Sequence, residues 1–324
     1  IRNNTCAYAL LNTTGRVGMT KKCVDAYLCA DGSRFTDKPG WETMAWKDEM
    51  SGRDPRLSQT VRCPGYVRLG ETVVSTPDFA ACATGYQIVK YVMEAGSNQG
   101  NCDRVDMSSN DLPVYRYALA HLNYAEAKAE AGTLTQSDLD FSVNLLRKRA
   151  GMPEMSLSEA NSNPDPYLTN PQYGYTNPIL LSDPNKGVIL EVRRERMVEM
   201  AQEGEDRYLG LMRWAEGKCL EQNFHGIYFD SIGDIDIDGN GSVEYCFYKG
   251  SKPSSTAKVF LKVGTDLVLS GDSKGYVDPV SQSSLVTSRT FDENRDYLYP
   301  IPINERSLNP NLKQNPGWND GLDF

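Results

Sequence analysis

Oxygen-bearing side chains recur at every second position in one short stretch. Asp234, Asp236, Asp238, Asn240 and Glu244 stand in the segment DIDIDGNGSVE, with Gly239 and Gly241 where the backbone would turn sharply. Ca²⁺ takes roughly 6–8 oxygen ligands, and this spacing lets a single loop wrap around it. Counted from Asp236, the EF-hand pattern holds at loop positions one, three, five, six and nine. It fails at position twelve, where Phe247 stands in place of a bidentate Glu, and no flanking helices are evident. The expectation is a structural calcium loop completed by another segment, set against an acidic turn facing water.

Two further patterns could carry catalysis. Gly271-Asp272-Ser273-Lys274-Gly275 matches GxSxG, but a nucleophile elbow needs a strand before it and a helix after it, and both flanks read as loop. His121 and His225 are the only histidines available as a base: the first sits mid-helix among alanines, the second in a loop. Glu191, Glu195 and Glu199 could be imagined as acid/base pairs. They interleave with Arg193, Arg194 and Arg196, which favours ion pairing over a carboxyl held protonated.

Aromatic residues make a third group. Tyr27, Phe35, Trp41, Trp46, Tyr66, Tyr86, Tyr91, Tyr167, Tyr173 and Tyr175 lie among polar, Gly and Pro residues. Flat rings beside hydrogen-bonding side chains suit sugar faces and also suit protein interfaces, and many such rings simply pin their loops.

The elements that must hold these residues divide the 324-residue chain by character. The first 110 residues are irregular, with Pro39-Gly40, Asp54-Pro55 and Pro64-Gly65 as turns and strand-like pieces at Gln59–Cys63 and Gln87–Met93. From Pro113 to Ala131, Tyr115, Ala118, Leu119, Leu122, Ala125 and Ala129 recur at helical spacing, and Gly132 stops the run. Thr135 and Asp138 form a capping box for a second helix reaching Ala150. Together they make a TPR-like helical hairpin, which cannot bury its apolar face alone. Residues 154–184 read as a long excursion. A helix from about Gly187 to Gly204 and another to about Glu216 follow, then loops and short strands to 297 and a Pro/Asn-rich tail.

Composition excludes several classes. Lys and Arg number 34 against 43 Asp and Glu, a net charge of −9, so a nucleic-acid backbone is a poor partner. No apolar run approaches the roughly 20 residues that span a bilayer. The chain opens at Ile1 without an initiator Met or signal peptide, which reads as a processed chain or part of a longer one. None of the eight cysteines (Cys6, Cys23, Cys29, Cys63, Cys82, Cys102, Cys219, Cys246) forms a CxxC pair, so structural zinc is not expected. Their even number leans toward at least one disulfide, without choosing a pairing.

Six stretches, in order, give the chain a family likeness: CVDAY at 23–27 with Asp31-Gly32, RDPRL at 53–57, PVYRYALAHLNYAEAKAEAG at 113–132, NLLRKRAGMP at 144–153, EVRRERMVEMAQEGEDRYLGLMRW at 191–214, and LYPIPINE with NPNLKQNPGW at 298–318. Together they resemble the SusD/RagB family, nutrient-binding lipoproteins of the Bacteroidetes cell surface. The resemblance implies a mainly α fold of TPR-type helix pairs decorated with long irregular loops and a few short strands. It implies that residues 1–324 are one C-terminal region: loop-rich 1–111, helical 112–216, a loop and strand insert 217–297 and a tail 298–324. The family's N-terminal TPR helices and lipidated cysteine would lie outside this chain. His121 with Leu119, where the family often has a Glu-rich stretch, reads as a packing variation.

The resemblance also implies a function: non-catalytic capture of oligosaccharide at the outer-membrane surface for import through a SusC-like, TonB-dependent transporter. A peptide ligand and a calcium-dependent hydrolase are the alternatives. Arg147, Arg149, Glu195, Glu203, Arg207 and Arg213 are expected to form an ion network between helices, with Trp214 in the core. Ligand contacts would come from the loops at 30–52, 64–86, 155–184 and 218–290. The candidates there are Trp41 and Trp46 foremost, then Arg34, Phe35, Asp48, Tyr66, Tyr173 and Tyr175.

Overall fold

The alternating Glu/Arg stretch folds as a central helix, Lys186–Glu199. In this computed structural model, which describes residues 16–104, 107, 109–111, 113–204, 206–281 and 289–322, that helix is buried on nearly every side. Val188, Ile189, Leu190 and Val192 pack into the core, and so do Glu191, Arg193, Arg194, Glu195, Arg196 and Glu199. Charges can sit there because each meets an opposite one; an unpaired buried ion would be strongly destabilising. Glu195 meets Arg56 at 2.5 Å and Arg147 at 2.8 Å. Glu199 meets Arg116 at 2.5 Å, Arg149 at 2.6 Å and Arg56 at 3.1 Å. Arg196 meets Glu126 at 2.8 Å, and Arg194 pairs with Asp165.

Most of these partners come from three helices packed around it. Arg56 lies in the helix Pro55–Thr60, Glu126 in Tyr117–Glu130, and Arg147 and Arg149 in Val143–Ala150. The expected ion network is thus present at Arg147, Arg149, Glu195 and Glu203, with Arg213 reaching Glu126 at 2.5 Å. Arg207 instead donates to the Tyr175 hydroxyl at 2.9 Å. Trp214 is core, 5% exposed. At the helix start a Cβ on Gly187 would lie 1.9 Å from the Ala160 carbonyl oxygen, so only Gly lets the helix Leu157–Ser162 approach.

The helical hairpin forms as the sequence indicates, with one break. Tyr117–Glu130 ends before Gly132 at φ +67°, and Thr135 and Asp138 make both capping-box hydrogen bonds. The helix expected to run unbroken to Ala150 is instead two, Gln136–Phe141 and Val143–Ala150. Ser142 stands between them at φ −123°, ψ −91°, its hydroxyl donating to the Asp138 carbonyl at 2.5 Å. A side chain that bonds the preceding turn competes with the helix ladder. The excursion at 154–184 is also more ordered than expected. It holds the short helices Leu157–Ser162 and Pro178–Ser182, capped by Ser156 and Asn177.

Among the described residues, 16–100 are irregular but anchored by the short α-helices Lys21–Asp25, Trp46–Glu49 and Pro55–Thr60. The strand-like pieces at Gln59–Cys63 and Gln87–Met93 reduce to bridges, Val61 with Ile88 and Gly18 with Gln87. Asp54 and Pro55 start a helix that takes up Gln59 and Thr60.

Among the described residues five short strands follow: β1 (Tyr228–Phe229), β2 (Gly233–Ile235), β3 (Tyr245–Tyr248), β4 (Val259–Lys262) and β5 (Gly275–Tyr276). β1 pairs antiparallel with β5, Tyr228 opposite Tyr276. β3 sits between β2, antiparallel, and β4, parallel. Their inner residues Phe229, Tyr245 and Phe247 join Val24, Tyr27, Trp46, Leu57 and Tyr86 in one core cluster. A second cluster fills the helical part, with Leu139, Val143, Leu190, Val192, Leu211 and Trp214. The described residues contain no helix long and apolar enough to cross a membrane.

The seven described cysteines are free thiols, which corrects the expected disulfide; Cys6 lies outside the described residues. Each has its own packing place: Cys82 meets the Thr84 hydroxyl at 3.4 Å, and Cys219 meets the Gly174 carbonyl at 3.4 Å. Burial pushes Cys23 up to about 11 and Cys63 up to about 12, which suppresses the reactive thiolate.

Candidate ligand-binding site

Three of the loops expected to carry ligand contacts converge on an open cavity of about 980 Å³. Trp41 enters from a 3-10 turn, Trp41–Thr43; Tyr173 comes from the excursion before the central helix; Glu221, His225 and Tyr276 come from the segment after it. The fourth loop, 64–86, contributes no lining residue.

Rings form much of the wall. Tyr167 and Tyr173 stack at 5.3 Å with planes 10° apart, and Trp41 stands edge-on to both, at 5.4 Å and 5.8 Å. A second stack pairs His225 with Tyr276 at 4.4 Å and 6°. β1–β5 pairing sets that stack, because Tyr228 lies opposite Tyr276 and meets its ring edge-on at 5.2 Å. Trp41, Tyr173, His225 and Tyr276 are all half-buried, so their positions are fixed while ring surface stays open to the cavity.

Beneath Trp41 lies a buried ionic floor. Lys21 Nζ contacts Asp25 Oδ1 at 2.9 Å and Glu49 Oε1 at 2.5 Å, and lies 5.6 Å from the Trp41 ring centre. The Tyr86 hydroxyl donates to Glu49 at 2.7 Å. Burial pulls on the Lys21 ammonium, but Asp25 and Glu49 outweigh it and hold the group above its ordinary range. Burial, with Glu49 nearby, pushes the Asp25 carboxyl up to about 7 despite Lys21. Burial also draws Lys22 down to about 8, and its ammonium donates to the Gln222 amide oxygen. The same cause holds His225 below its ordinary value, so its ring is neutral at pH 7.

Of the eight candidate ligand contacts, only Trp41 and Tyr173 line this cavity. Trp46 is 2% exposed and fills the loop and strand core. Phe35 is covered, its ring 3.7 Å from the Arg53 guanidinium. Tyr175 packs edge-on against Trp214 at 5.9 Å, inside the helical core. Arg34 lines a separate cleft, its Nε 3.6 Å from Asp165. Tyr66 lies under Arg62 at 5.5 Å, and Asp48 is exposed on the helix Trp46–Glu49; neither lines the cavity. Lys21, Asp25, His225 and Tyr276 were not among the candidates. Loop membership pointed to the last two, whereas Asp25 sits inside the family-like stretch at 23–27 and Lys21 just before it, where no ligand contact was expected.

The acidic loop turns between β2 and β3, without flanking helices. Carboxylate oxygens of Asp236, Asp238 and Glu244 lie within 4.8 Å of one another. Asp234 stands apart, accepting from the Ser255 hydroxyl at 2.5 Å. Asn240 turns its amide oxygen to the Ser242 N–H at 2.7 Å and donates to Asp238 at 3.0 Å. The Asp236 carboxylate accepts from the Asn240 and Gly241 amides at 3.0 Å and 2.8 Å. Desolvation pushes its pKa up, but those amides with that of Gly239 together outweigh it and hold the pKa below the ordinary range, supplying locally what a cation would. Ser273 of the GxSxG match sits on an exposed turn leading into β5 rather than into a helix. Glu195 and Glu199 are held by arginines, which leaves no uncommitted acid/base pair there.

Residues 4–318 match the model of the SusD family. The chain belongs to the SusD family. Two solved structures share its fold. A SusD-like protein from Bacteroides fragilis NCTC 9343 is 20% identical with a TM-score of 0.53, over 93% of this chain and 47% of that one. Selenomethionine BT4246 is 20% identical with a TM-score of 0.55, over 93% of this chain and 46% of that one. The chain therefore spans about half the length of these structures. No curated protein matches it. The SusD match takes in both the ion-paired helices and the loops around the cavity, and the expected mainly helical, SusD-like fold is the one observed.

Proposed function

We propose that this SusD-family chain binds oligosaccharide without turning it over, for delivery to a SusC-like, TonB-dependent transporter. In the intact protein it would sit on the extracellular face of the outer membrane, held by a lipid anchor. The observation that carries the reading is the cavity of about 980 Å³ with half-buried Trp41, Tyr173 and Tyr276 in its wall. Fixed rings stack on the C–H faces of sugars, while amides such as Gln172 and Asn223 at the rim meet hydroxyls. Binding of this kind falls in the micromolar to millimolar range.

Calcium, where bound, would be held by Asp236, Asp238 and Glu244 with oxygens from elsewhere, stiffening the β2–β3 loop. Its role would be structural. A titration of tryptophan fluorescence against a broad glycan panel tests the main reading, and a saturable change without product is expected. No response to any glycan, with a peptide found co-purified by mass spectrometry, would move the ligand to the peptide class. Release of a reducing end would overturn the non-catalytic claim.

A further inference from the structure

We infer a second binding site, for a phosphate or sulfate group, in a cleft of about 270 Å³ apart from the aromatic cavity. Gln59, Lys90, Arg116, Arg149, Glu199 and Glu203 line it, and none of them lines the larger cavity. Glu199 serves three guanidiniums at once: Arg116 at 2.5 Å, Arg149 at 2.6 Å and, on the floor, Arg56 at 3.1 Å. Glu203 serves two cations, Arg116 and Lys90, both at 2.6 Å. Arg56 has Asp54 and Glu195 besides, at 2.7 Å and 2.5 Å. Lys90, Arg116 and Arg149 pair with no further carboxylate among the described residues, so three positive charges share two negative ones.

Burial sorts these charges by depth. The side chains of Glu199 and Glu203 are 1% and 7% exposed, against 22% for Lys90, 25% for Arg116 and 58% for Arg149. A solute in the cleft therefore meets the cations first, on a chain whose net charge is −9. The Arg149 guanidinium is also held in place. Its Nη2 donates to both Glu199 oxygens, at 2.7 Å and 2.6 Å, while its Nε and Nη1 make no hydrogen bond among the described residues. Lys90 donates to the Ala201 carbonyl at 2.8 Å and to Glu203 at 2.6 Å, which leaves one of its three N–H groups open. The exposed Gln59 amide, also without a hydrogen bond among the described residues, adds a neutral donor from the helix Pro55–Thr60. Open donors from three separate elements suit a tetrahedral group with several acceptor oxygens, and arginine matches such groups best. The negative charge of that group supplies what the cluster lacks.

The test is calorimetry and thermal melts on the full chain with inorganic phosphate, inorganic sulfate and a sulfated oligosaccharide, each against sodium chloride at matched ionic strength. Saturable binding is expected, with a melting temperature that climbs with anion concentration, because an ion held only by the folded state stabilises it. Arg149→Gln is expected to weaken the anion roughly 10-fold. That change also takes one partner from Glu199, so a second variant leaves the ion pairs whole. Gln59→Glu sets a carboxylate at the exposed edge of the cleft and is expected to weaken the anion at least ~5-fold. Lys218→Gln, in the larger cavity, should leave anion affinity as it is. Sulfated oligosaccharide binding at least ~10-fold tighter than free sulfate, and weakened by both cleft variants, would make a saccharide the carrier of the group. Equal affinities would make the free ion the ligand. No binding of any of these anions, a melting shift that chloride reproduces, or an affinity that only Lys218→Gln moves would overturn the site.

Discussion

Lys21 and Asp25, one helical turn apart, meet at 2.9 Å under the ligand cavity, and Glu49 shares the same ammonium from the other side at 2.5 Å. One cation faces two buried carboxylates there, and the proton that relieves this crowding sits on Asp25, pushed up to about 7 by burial. A carboxyl whose folded pKa is raised contributes stability that is full below its unfolded pKa and is lost as pH rises through the folded one. The chain should therefore lose stability between about pH 4 and pH 7 from this group. Asp25→Asn keeps an oxygen for Lys21 and removes the titration. The difference in melting temperature between wild type and Asp25→Asn is expected to change steadily across that window and to flatten above it, while an unchanging difference would rule the raised pKa out. Taking the difference cancels His225, whose lowered pKa acts in the opposite direction.

Glu195 is the hinge of the ion network, 2% exposed and held by Arg56 and Arg147 at once. Removing it takes the nearest carboxylate from two buried guanidiniums and leaves Arg147 with Glu191 at 3.8 Å, so Glu195→Ala should cost about 3–5 kcal/mol in denaturant unfolding. Arg56 keeps Asp54 at 2.7 Å, which limits the loss on that side. A cost below ~1 kcal/mol would mean that the network is no more than a set of surface-like pairs.

How much of this is legible in the chain depends on whether a signal is local. Thr135, Asp138 and Gly132 announce their cap and stop within a few residues, and both form as read. Ser142 gives no such notice, because its hydroxyl breaks the helix through a contact one turn back that competes almost evenly with the ladder. The family-like stretches mark the ion-paired helices well, since their charges alternate along one element. The cavity is harder. Trp41 and Trp46 share a loop-like neighbourhood, yet one lines the cavity and the other starts a helix whose inner face packs on Tyr27 and Leu57. Phe35 is hidden by Arg53, and Tyr175 by Trp214, through contacts that no spacing reveals. His225 and Tyr276 become partners only because β1 pairs with β5 across a long insert.

That contrast between the two tryptophans makes a direct test. Trp41→Ala removes an edge of the aromatic wall from a half-buried place and should weaken saccharide binding roughly 10-fold, given ~1–1.5 kcal/mol for a ring contact. Its melting temperature should move little. Trp46→Ala empties a core site and should cost about 3–5 kcal/mol of stability, with affinity unchanged in whatever fraction remains folded. Calorimetry and thermal melts of both variants decide it; equal losses of affinity in the two would place the ligand elsewhere.

The β2–β3 loop supports a final expectation. Asp236, Asp238 and Glu244 converge within 4.8 Å, while Asp234 is bound to Ser255 and takes no part. If these three hold Ca²⁺, adding the ion should raise the melting temperature by linkage, with about 2.7 kcal/mol gained at a hundredfold excess over Kd. Asp236→Asn or Asp238→Asn should abolish the gain, and Asp234→Asn should leave it whole. Terbium luminescence, sensitised by Tyr245 beside the loop, would report the same order of effects without reference to stability. Equal responses from all three variants would show that the ion is held by diffuse negative charge and not by this loop.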